Sequence, residues 1–411
     1  METFITFLKD LADVDITGVA FKNLQLKKQI LIYFANEGDA TIADLAKHLN
    51  SSSPKVNDLI TELITDGLVK DYGKTESGVG RKPNLYGLEP KSIYFVGVDI
   101  KMNHINIGLL DLKKNLLNVE ERIPYQLTNT REALNHLCDI IEEAINKFPV
   151  SRERIVGIGV NLSGRINYRN GYSYSYFHFD EEPLSKVMEK RSGIRTYIEN
   201  DSRAVAYGEF SSGIVTHEKD VLFVNIEHGI GMGIFINGQL YYGKSGFSGD
   251  LAHTPMYNNE IICHCGKRGC LETEASGYAL IRLLKQKMEN GASSILSADH
   301  KDYNNIQLED IIEAARKEDT LCIELLAEIG ENLGKGIAVI INLFNPELVI
   351  LGGSLAATGD YIRLPIKSAI NKYSLTLVNN DTKLKMSKIG ERAGIIGACL
   401  LVRDRTLGLF V

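Results

Sequence analysis

The three cysteines Cys263, Cys265 and Cys270 are the strongest chemical signal in the sequence. Thiolates are preferred zinc ligands, and a structural zinc ion takes four ligands in a tetrahedron. His253, ten residues upstream of Cys263, is the natural fourth ligand, whereas His264 is nearer but stands between two cysteines. The pattern predicts a structural Zn²⁺ site with no open coordination position. The alternative is three reduced thiols without a metal.

A second polar run, Glu199-Asn200-Asp201, follows a predicted strand and leads into a helix rich in small residues. An Asn beside an Asp can bracket adjacent hydroxyls of a sugar, and Asp201 can accept the proton of a primary hydroxyl. Asn and Asp are also common helix caps, so this run alone does not identify a site.

Residues 24–70 have the pattern of three short helices separated by tight polar turns, which is typical of a helix-turn-helix unit. Thr41, three residues before Asp44, predicts a capping box for the second helix. Ser53 and Pro54 are expected to cap and begin the third helix. The apolar residues at helical spacing are Leu26, Ile30, Leu31 and Phe34 in the first helix and Val56, Leu59, Ile60, Leu63 and Ile64 in the third.

A short strand at 68–72, a glycine-rich stretch at 73–80 and a returning strand at 85–88 predict a two-stranded wing. Polar side chains of the third helix and the wing can donate to phosphates and base edges. We expect these DNA contacts from Ser53, Lys55, Asn57, Thr61, Lys74, Arg81 and Lys82. The alternative is a helical adaptor for a protein partner, since residues 1–90 hold 10 Lys plus Arg and 13 Asp plus Glu. DNA binding must therefore depend on a few local cations, doubled by dimerisation.

The remainder of the chain twice shows a run of short strands followed by helices. Strands are predicted at 93–100, 105–110, 116–124 and 155–161, with a helix at 130–147. A second set is predicted at 221–226, 231–236, 239–242 and 347–351. This repetition indicates two α/β lobes with a ligand cleft between them.

The bulk properties are those of a globular protein. The 411 residues are 44% hydrophobic and 24% charged, with a net charge of −6 that argues against non-specific coating of nucleic acid. No apolar run approaches the roughly 20 residues that span a bilayer. The acidic start lacks the cationic segment of a secretory signal. We expect a cytoplasmic protein without a membrane partner.

Several motifs together resemble the ROK family of sugar kinases and repressors, and within it the NagC/XylR-type repressors that carry an N-terminal winged helix. The family's Cys-x-Cys-Gly-x-x-Gly-Cys-x-Glu run is matched at every fixed position over 263–272. Glu199-Asn200-Asp201 matches the sugar-binding triplet. Further matches lie at 80–83, 249–253, 351–355 and 393–398.

The resemblance implies an α/β, actin-like (ribonuclease H-like) two-lobed sugar-kinase fold preceded by a winged helix-turn-helix domain. The implied domains are 1–88, a first lobe of 91–202 plus 391–411, and a second lobe of 203–390 with the zinc loop. It also implies a homodimer or homotetramer that binds double-stranded operator DNA and a sugar or sugar phosphate. The implied zinc ligands are His253, Cys263, Cys265 and Cys270, and the implied sugar contacts are Asn200, Asp201, Asp250, His253 and Glu272.

The sequence departs from the family at two sites. Asp250 and Ala252 replace a Glu and a Gly, so the carboxylate at 250 is one methylene shorter. The first phosphate loop of the kinases has two glycines, but residues 99–104 have none and carry Lys101 instead. Side chains there crowd a phosphate. The loop at 228–233 keeps its glycines, and Asp201 is equivalent to the kinase base.

The sequence therefore favours a sugar-responsive repressor without phosphotransfer activity. The alternative is an ATP-dependent sugar kinase with a DNA-binding appendage. Activators and regulators that act through a protein partner are further alternatives.

Overall fold

The computed structural model describes residues 5–13, 15–74, 83–179, 181–299 and 303–409. The chain divides into two units, one of Met1–Glu199 with Ala398–Val411 and one of Asn200–Gly397. It therefore leaves the first unit after Glu199 and returns to it at Ala398. The three domain ranges expected from the sequence stay a prediction.

The first unit begins with a winged helix-turn-helix. Its elements are α1 (Thr6–Ala12), α2 (Gly18–Asn36), α3 (Ile42–His48), α4 (Ser53–Thr65), β1 (Val69–Lys74) and β2 (Asn84–Leu88). The capping box predicted for α3 is confirmed, because Thr41 and Asp44 bond each other's backbone N–H. The cap predicted for α4 is wrong by one residue. Ser52 is the N-cap, since its carbonyl accepts the first helical hydrogen bond, from the N–H of Val56.

Helix α4 buries the predicted stripe of Val56, Leu59, Ile60 and Leu63, whereas Ile64 is 39% exposed. The wing strands pair antiparallel, with Val69 opposite Leu88 and Asp71 opposite Tyr86. The predicted wing tip, including Arg81 and Lys82, lies outside the described residues.

A five-stranded sheet forms the rest of the first unit, in the order β5-β4-β3-β6-β9. Strands β3, β4 and β5 form an antiparallel meander, and β6 runs parallel to β3. The elements are β3 (Tyr94–Ile100), β4 (His104–Asp111), β5 (Leu116–Pro124), α5 (Arg131–Lys147), β6 (Ile155–Leu162), β7 (Ile166–Asn167), β8 (Tyr172–Ser173), α6 (Leu184–Ser192) and β9 (Thr196–Asn200).

The second unit contains a sheet of the same plan, in the order β12-β11-β10-β13-β14. Again three strands form an antiparallel meander, and two further strands run parallel to its first strand. The elements are α7 (Asp201–Ser212), β10 (Val221–Ile226), β11 (Ile230–Ile236), β12 (Gln239–Leu240), α8 (Glu272–Ala275), α9 (Gly277–Glu289), α10 (Leu296–Asp299), α11 (Leu308–Arg316), α12 (Thr320–Phe344), β13 (Leu348–Gly352), α13 (Asp360–Tyr373), α14 (Thr376–Asp381) and β14 (Lys383–Met386).

The last helix, α15 (Ala393–Thr406), joins the winged helix-turn-helix to the first sheet. A Cβ added at Gly159 would lie 2.5 Å from the carbonyl of Ala398, so β6 and α15 touch through their backbones. Val402 and Leu407 belong to the same apolar core as α1, α2, α3 and α4. Because one core serves both parts, the winged helix-turn-helix and the first sheet are one folded unit.

The α/β fold class expected from the sequence is confirmed, with two sheets of equal strand order after a winged helix-turn-helix. None of the described helices is long and apolar enough to cross a membrane.

Candidate functional site

Four residues of the second unit form a cluster with the composition of a metal site. The ligand atoms of His253, Cys263, Cys265 and Cys270 all lie within 4.8 Å of one another. The Sγ of Cys263 is 3.6 Å from Nδ1 of His253, and the Sγ atoms of Cys265 and Cys270 are 3.7 Å apart. Three sulfurs and one ring nitrogen are a donor set that suits a tetrahedral zinc ion. These four residues could hold a metal.

Backbone contacts fold the chain so that the four side chains converge. The N–H of Cys263 bonds the carbonyl of Lys267, and Gly266, with φ of 81°, closes the turn between them. Gly269 has φ of 74°, and a Cβ there would lie 2.2 Å from the carbonyl of Tyr257. Both positions therefore favour glycine, since a left-handed φ strains other residues.

Burial affects the thiols of this loop. It raises the pKa of the Cys263 thiol to about 12. Binding of a metal cation there displaces a thiol proton, because the thiolate is the ligand.

Glu272 is buried beside the cluster, with 4% of its surface exposed. Its Oε1 lies 3.1 Å from Nδ1 of the exposed His264 and 3.5 Å from the Sγ of Cys263. His253, His264 and Glu272 also form a group that could hold a metal. His264 thus contacts the carboxylate, whereas His253 is the histidine grouped with the three thiols.

The predicted Asn-Asp pair is at the start of α7. Asn200 is the N-cap, and its Oδ1 accepts the N–H of Arg203 at 3.1 Å. Oδ1 of Asp201 accepts the N–H of Ser202 at 2.7 Å and the side-chain amide of Asn200 at 3.1 Å. The capping interpretation is therefore correct for Asn200. These bonds fix both side chains at the start of the helix.

The turn between β10 and β11 connects this pair to the metal loop. A Cβ at Gly229 would lie 2.8 Å from Oε2 of Glu272, and a Cβ at Gly231 would lie 1.9 Å from Oγ of Ser202. Glu272 therefore lies against the turn at Gly229, and Ser202 lies against β11 at Gly231, two residues further along the chain. Sequence reasoning missed Ser202, because its contact with Gly231 joins residues far apart in the chain and no local pattern predicts it.

Asp250, another predicted sugar contact, lies in a loop just before a short 3-10 turn. It is exposed and immediately precedes the short 3-10 turn Leu251–His253. Its carbonyl accepts the N–H of His253 at 3.3 Å. This backbone bond places Asp250 one 3-10 turn before His253.

The first-loop residue Asp99 is fully buried at the end of β3. Among the described residues, neither of its carboxylate oxygens has a hydrogen-bond partner, and Nζ of Lys101 lies 3.5 Å from Oδ2. The lysine that replaces a glycine therefore supplies a positive charge to a buried carboxylate.

The polar face of α4 is the candidate DNA-reading surface. Ser53, Asn57 and Thr61 are exposed and Lys55 is half-buried, and all four lie outside the buried apolar stripe of the helix. Lys74 is exposed at the end of β1. An exposed polar face on a helix of this motif is what base and phosphate contacts require.

Comparison with known proteins extends these observations. The sequence models for the ROK family and for winged helix-turn-helix DNA-binding match residues 95–405 and 24–70. A protein named xylose repressor from Caldicellulosiruptor bescii is 29% identical over 362 residues, which are 87% of this chain and 90% of that protein.

Two solved structures are also similar. The crystal structure of a ROK family transcriptional regulator, a homologue of the E. coli MLC protein, has a TM-score of 0.79 at 26% identity and covers 94% of this chain and 96% of its own. A ROK family glucokinase from Streptomyces griseus, in complex with glucose and AMPPNP, has a TM-score of 0.68 at 26% identity. It covers 76% of this chain and 99% of its own. This chain belongs to the ROK family, in the NagC/XylR-type repressor branch that joins a winged helix-turn-helix to the ROK domain.

Proposed function

We propose that this protein is a sugar-responsive transcriptional regulator, acting as a repressor on double-stranded operator DNA. The single observation that carries the proposal is that one chain combines the ROK domain with an exposed polar face on α4. Ser53, Lys55, Asn57, Thr61 and the wing residues Lys74, Arg81 and Lys82 contact the DNA. Asn200, Asp201, Asp250, His253 and Glu272 contact the sugar hydroxyls.

The four-residue cluster holds a structural zinc ion in this proposal. Its three thiols and one imidazole leave no open position for a water molecule, so the metal fixes the loop rather than activating a nucleophile. His253 can bind zinc with one ring nitrogen and orient the other toward the sugar. The proximity of Glu272 to Cys263 and to Gly229 supports this link between metal and ligand.

We further propose that the protein does not transfer phosphate. Lys101 and Met102 stand where the kinases have glycines, and Lys101 lies beside the buried Asp99. The glycines that remain in the second loop have a packing role, because Gly231 and Gly233 make room for Ser202 and Ala206 of α7. Their presence therefore gives no support to nucleotide binding. A 26% identical glucokinase keeps phosphotransfer as the second candidate function.

A homodimer or homotetramer in the cytoplasm completes the proposal. A two-fold operator requires two copies of α4 at half-sites one helical turn apart. The slightly acidic winged helix-turn-helix supports this requirement, since one copy carries few cations for the phosphate backbone.

A thermal-shift panel tests the sensor against the kinase. The intact protein is heated with hexoses, pentoses, N-acetylamino sugars and their phosphates, each with and without MgATP. A ligand at 100 times its Kd adds about 2.7 kcal/mol of stability. We expect stabilisation by one sugar class, no further shift with MgATP and no ADP release. A nucleotide-dependent shift with ADP release would favour the kinase.

A binding selection tests the DNA half of the proposal. Duplexes are enriched from a random pool on the intact protein, and the affinity is measured with and without the stabilising sugar at fixed salt. We expect sequence enrichment and an affinity that sugar lowers. Binding without enrichment, or an affinity that sugar leaves unchanged, would contradict the proposed regulator.

A further inference from the structure

Three contacts within the first unit link the end of β9, α15, the β4–β5 turn and the wing. Glu199, the last residue of this unit, directly precedes Asn200 in the chain. Its buried carboxylate accepts a hydrogen bond from Nη2 of Arg405 on α15 at 2.5 Å. Nη1 of Arg405 also bonds the carbonyl of Ile198 at 3.4 Å. The C-terminal helix thus holds the end of β9 that leads into the ligand run.

The second contact is two residues earlier on the same helix. Arg403 is 1% exposed, and its Nε donates to the carbonyl of Leu112 at 3.1 Å. Leu112 begins the turn between β4 and β5, and it is fully buried in the core shared with the winged helix-turn-helix. A buried guanidinium bonded to a turn carbonyl fixes that turn to the helix.

The third contact joins the turn to the wing. Nζ of Lys113 lies 3.0 Å from Oδ1 of Asp39 and 4.4 Å from the ring centre of Tyr72 on β1. Partial burial lowers the pKa of Lys113, but its interactions with Tyr72 and Asp39 outweigh burial and the net pKa is raised. The ammonium is therefore charged at neutral pH and attracted to both groups.

Asp39 is itself held by the wing. A Cβ at Gly87 of β2 would lie 1.8 Å from Oδ1 of Asp39. The next residue, Ala40, exchanges two backbone hydrogen bonds with Tyr86, each 2.8 Å long. The segment that leads into α3 is therefore bonded to the wing, and Lys113 contacts both parts at one point.

We propose that α15 and the β4–β5 turn transmit the state of the Glu199-Asn200-Asp201 run to the wing, and that Lys113 is the positioning residue at the wing end. The inference rests on the proposed function and specifies how the sugar regulates DNA binding. Sugar binding shifts the position of the end of β9. The contacts of Arg405 and Arg403 transmit this shift to the β4–β5 turn. Asp39 and Tyr72 then change the angle between wing and α3.

Hydrogen exchange on the intact protein tests this inference. The variant Lys113→Met keeps an unbranched chain without the charge. Lys113→Arg keeps the charge. Lys190→Met is the matched control, because it removes an exposed ion pair with Glu182 elsewhere in the first unit. The probes are D-xylose, D-glucose and N-acetyl-D-glucosamine, each added separately.

We expect one probe to slow exchange at 200–206 in every variant. In wild type, Lys113→Arg and Lys190→Met, the same probe changes exchange at 39–41 and 69–72 by about fivefold or more, the lower range of measured couplings. In Lys113→Met this distant change is lost while the change at 200–206 remains. A general loss of structure cannot produce that separation.

Two outcomes overturn the inference and are distinguishable from each other. If a probe slows exchange at 200–206 but the wing of Lys113→Met responds as in wild type, the route through Lys113 is wrong and the proposed function stands. If no probe slows exchange at 200–206 in wild type, the proposed sugar site fails and the inference fails with it.

Discussion

The two five-stranded sheets have the same strand order but differ in the turn that joins the first two strands of each meander. In the second unit, the β10–β11 hairpin has glycines at 229, 231 and 233, and neighbouring side chains occupy the space that they leave. In the first unit, the β3–β4 turn has Lys101 and Met102, and Lys101 pairs with a buried carboxylate.

This difference teaches that glycines kept in a phosphate-loop position do not by themselves indicate that nucleotide binding is kept. Gly233 is needed because α7 lies against β11, whatever the protein binds. At the β3–β4 turn the Met102 side chain is 40% exposed, and its backbone carbonyl accepts the N–H of Leu127 at 2.9 Å. Packing on α7 therefore accounts for Gly231 and Gly233 without reference to a ligand.

The largest expected effect concerns the metal loop, for which the first sheet has no counterpart among the described residues. Cys270→Ser replaces a fully buried ligand, so zinc content should fall from about one ion per chain to background. Emission spectrometry of the purified protein measures this content. Cys138→Ala is the matched control, a buried cysteine outside the cluster. Equal zinc in both variants would contradict the site.

A smaller effect is expected from Gly233→Ala, which tests the packing role of the second hairpin. The added Cβ would lie 2.2 Å from the Cβ of Ala206. Overpacking of this kind lowers the free energy of unfolding by about 1–3 kcal/mol. Urea denaturation followed by circular dichroism measures the change. An unaltered urea midpoint would mean that α7 shifts to accommodate the methyl group without loss of stability, and that packing on α7 does not require glycine at this position.

Substitution of Glu218, just before β10, should lower the free energy of unfolding by a similar or smaller amount, and this loss should depend on pH. Its buried carboxylate accepts the N–H of Thr216 at 3.0 Å and pairs with Lys385 of β14 at 3.2 Å. The Thr216 bond and others, together with Lys385, outweigh burial and hold its pKa far below the ordinary value. Glu218→Gln should therefore cost about 1–3 kcal/mol at pH 7.

The sign of this pH dependence follows from the lowered pKa. The stabilisation is fully present above the unfolded pKa of about 4.3 and is lost as pH falls toward the folded value. The difference between wild type and Glu218→Gln, measured by urea denaturation, should shrink below about pH 4. Glu331→Gln is the control, since its ion pair with Lys372 is exposed. A constant difference down to pH 2 would contradict the assignment.

The smallest effect is expected from Met102→Ala in the β3–β4 turn. The side chain is exposed, so the free energy of unfolding should change by less than about 0.5 kcal/mol. The same urea denaturation provides the measurement. A loss comparable to that of Gly233→Ala would show that both turns are packed alike, and the comparison between the sheets would no longer hold.

Features that depend on neighbours in the chain could be predicted from the sequence. The Thr41 capping box, the apolar stripe of α4 and the bounds of β5 and β10 all follow from local periodicity and cap chemistry. The convergence of His253 with the three cysteines was also predictable, because three thiols and one imidazole are the donor set of a structural zinc site.

Features that depend on distant residues could not be predicted. Lys113 and Asp39 are 74 residues apart in the chain, and a lysine in a turn is ordinarily solvated. β14 is the four residues Lys-Leu-Lys-Met, and so short an alternation does not by itself indicate a strand beside β13. The contact of Gly231 with Ser202 likewise arises only after α7 packs on β11.

The core shared by the winged helix-turn-helix and α15 has a consequence for protein synthesis. The helices that read DNA are made first, but their core includes Val402 and Leu407, which leave the ribosome after almost all the rest of the described chain. In a nascent chain the core of the winged helix-turn-helix is therefore incomplete until the ligand-binding part has been translated. Chains that terminate before Val402 therefore lack part of the core on which the DNA-reading helices pack.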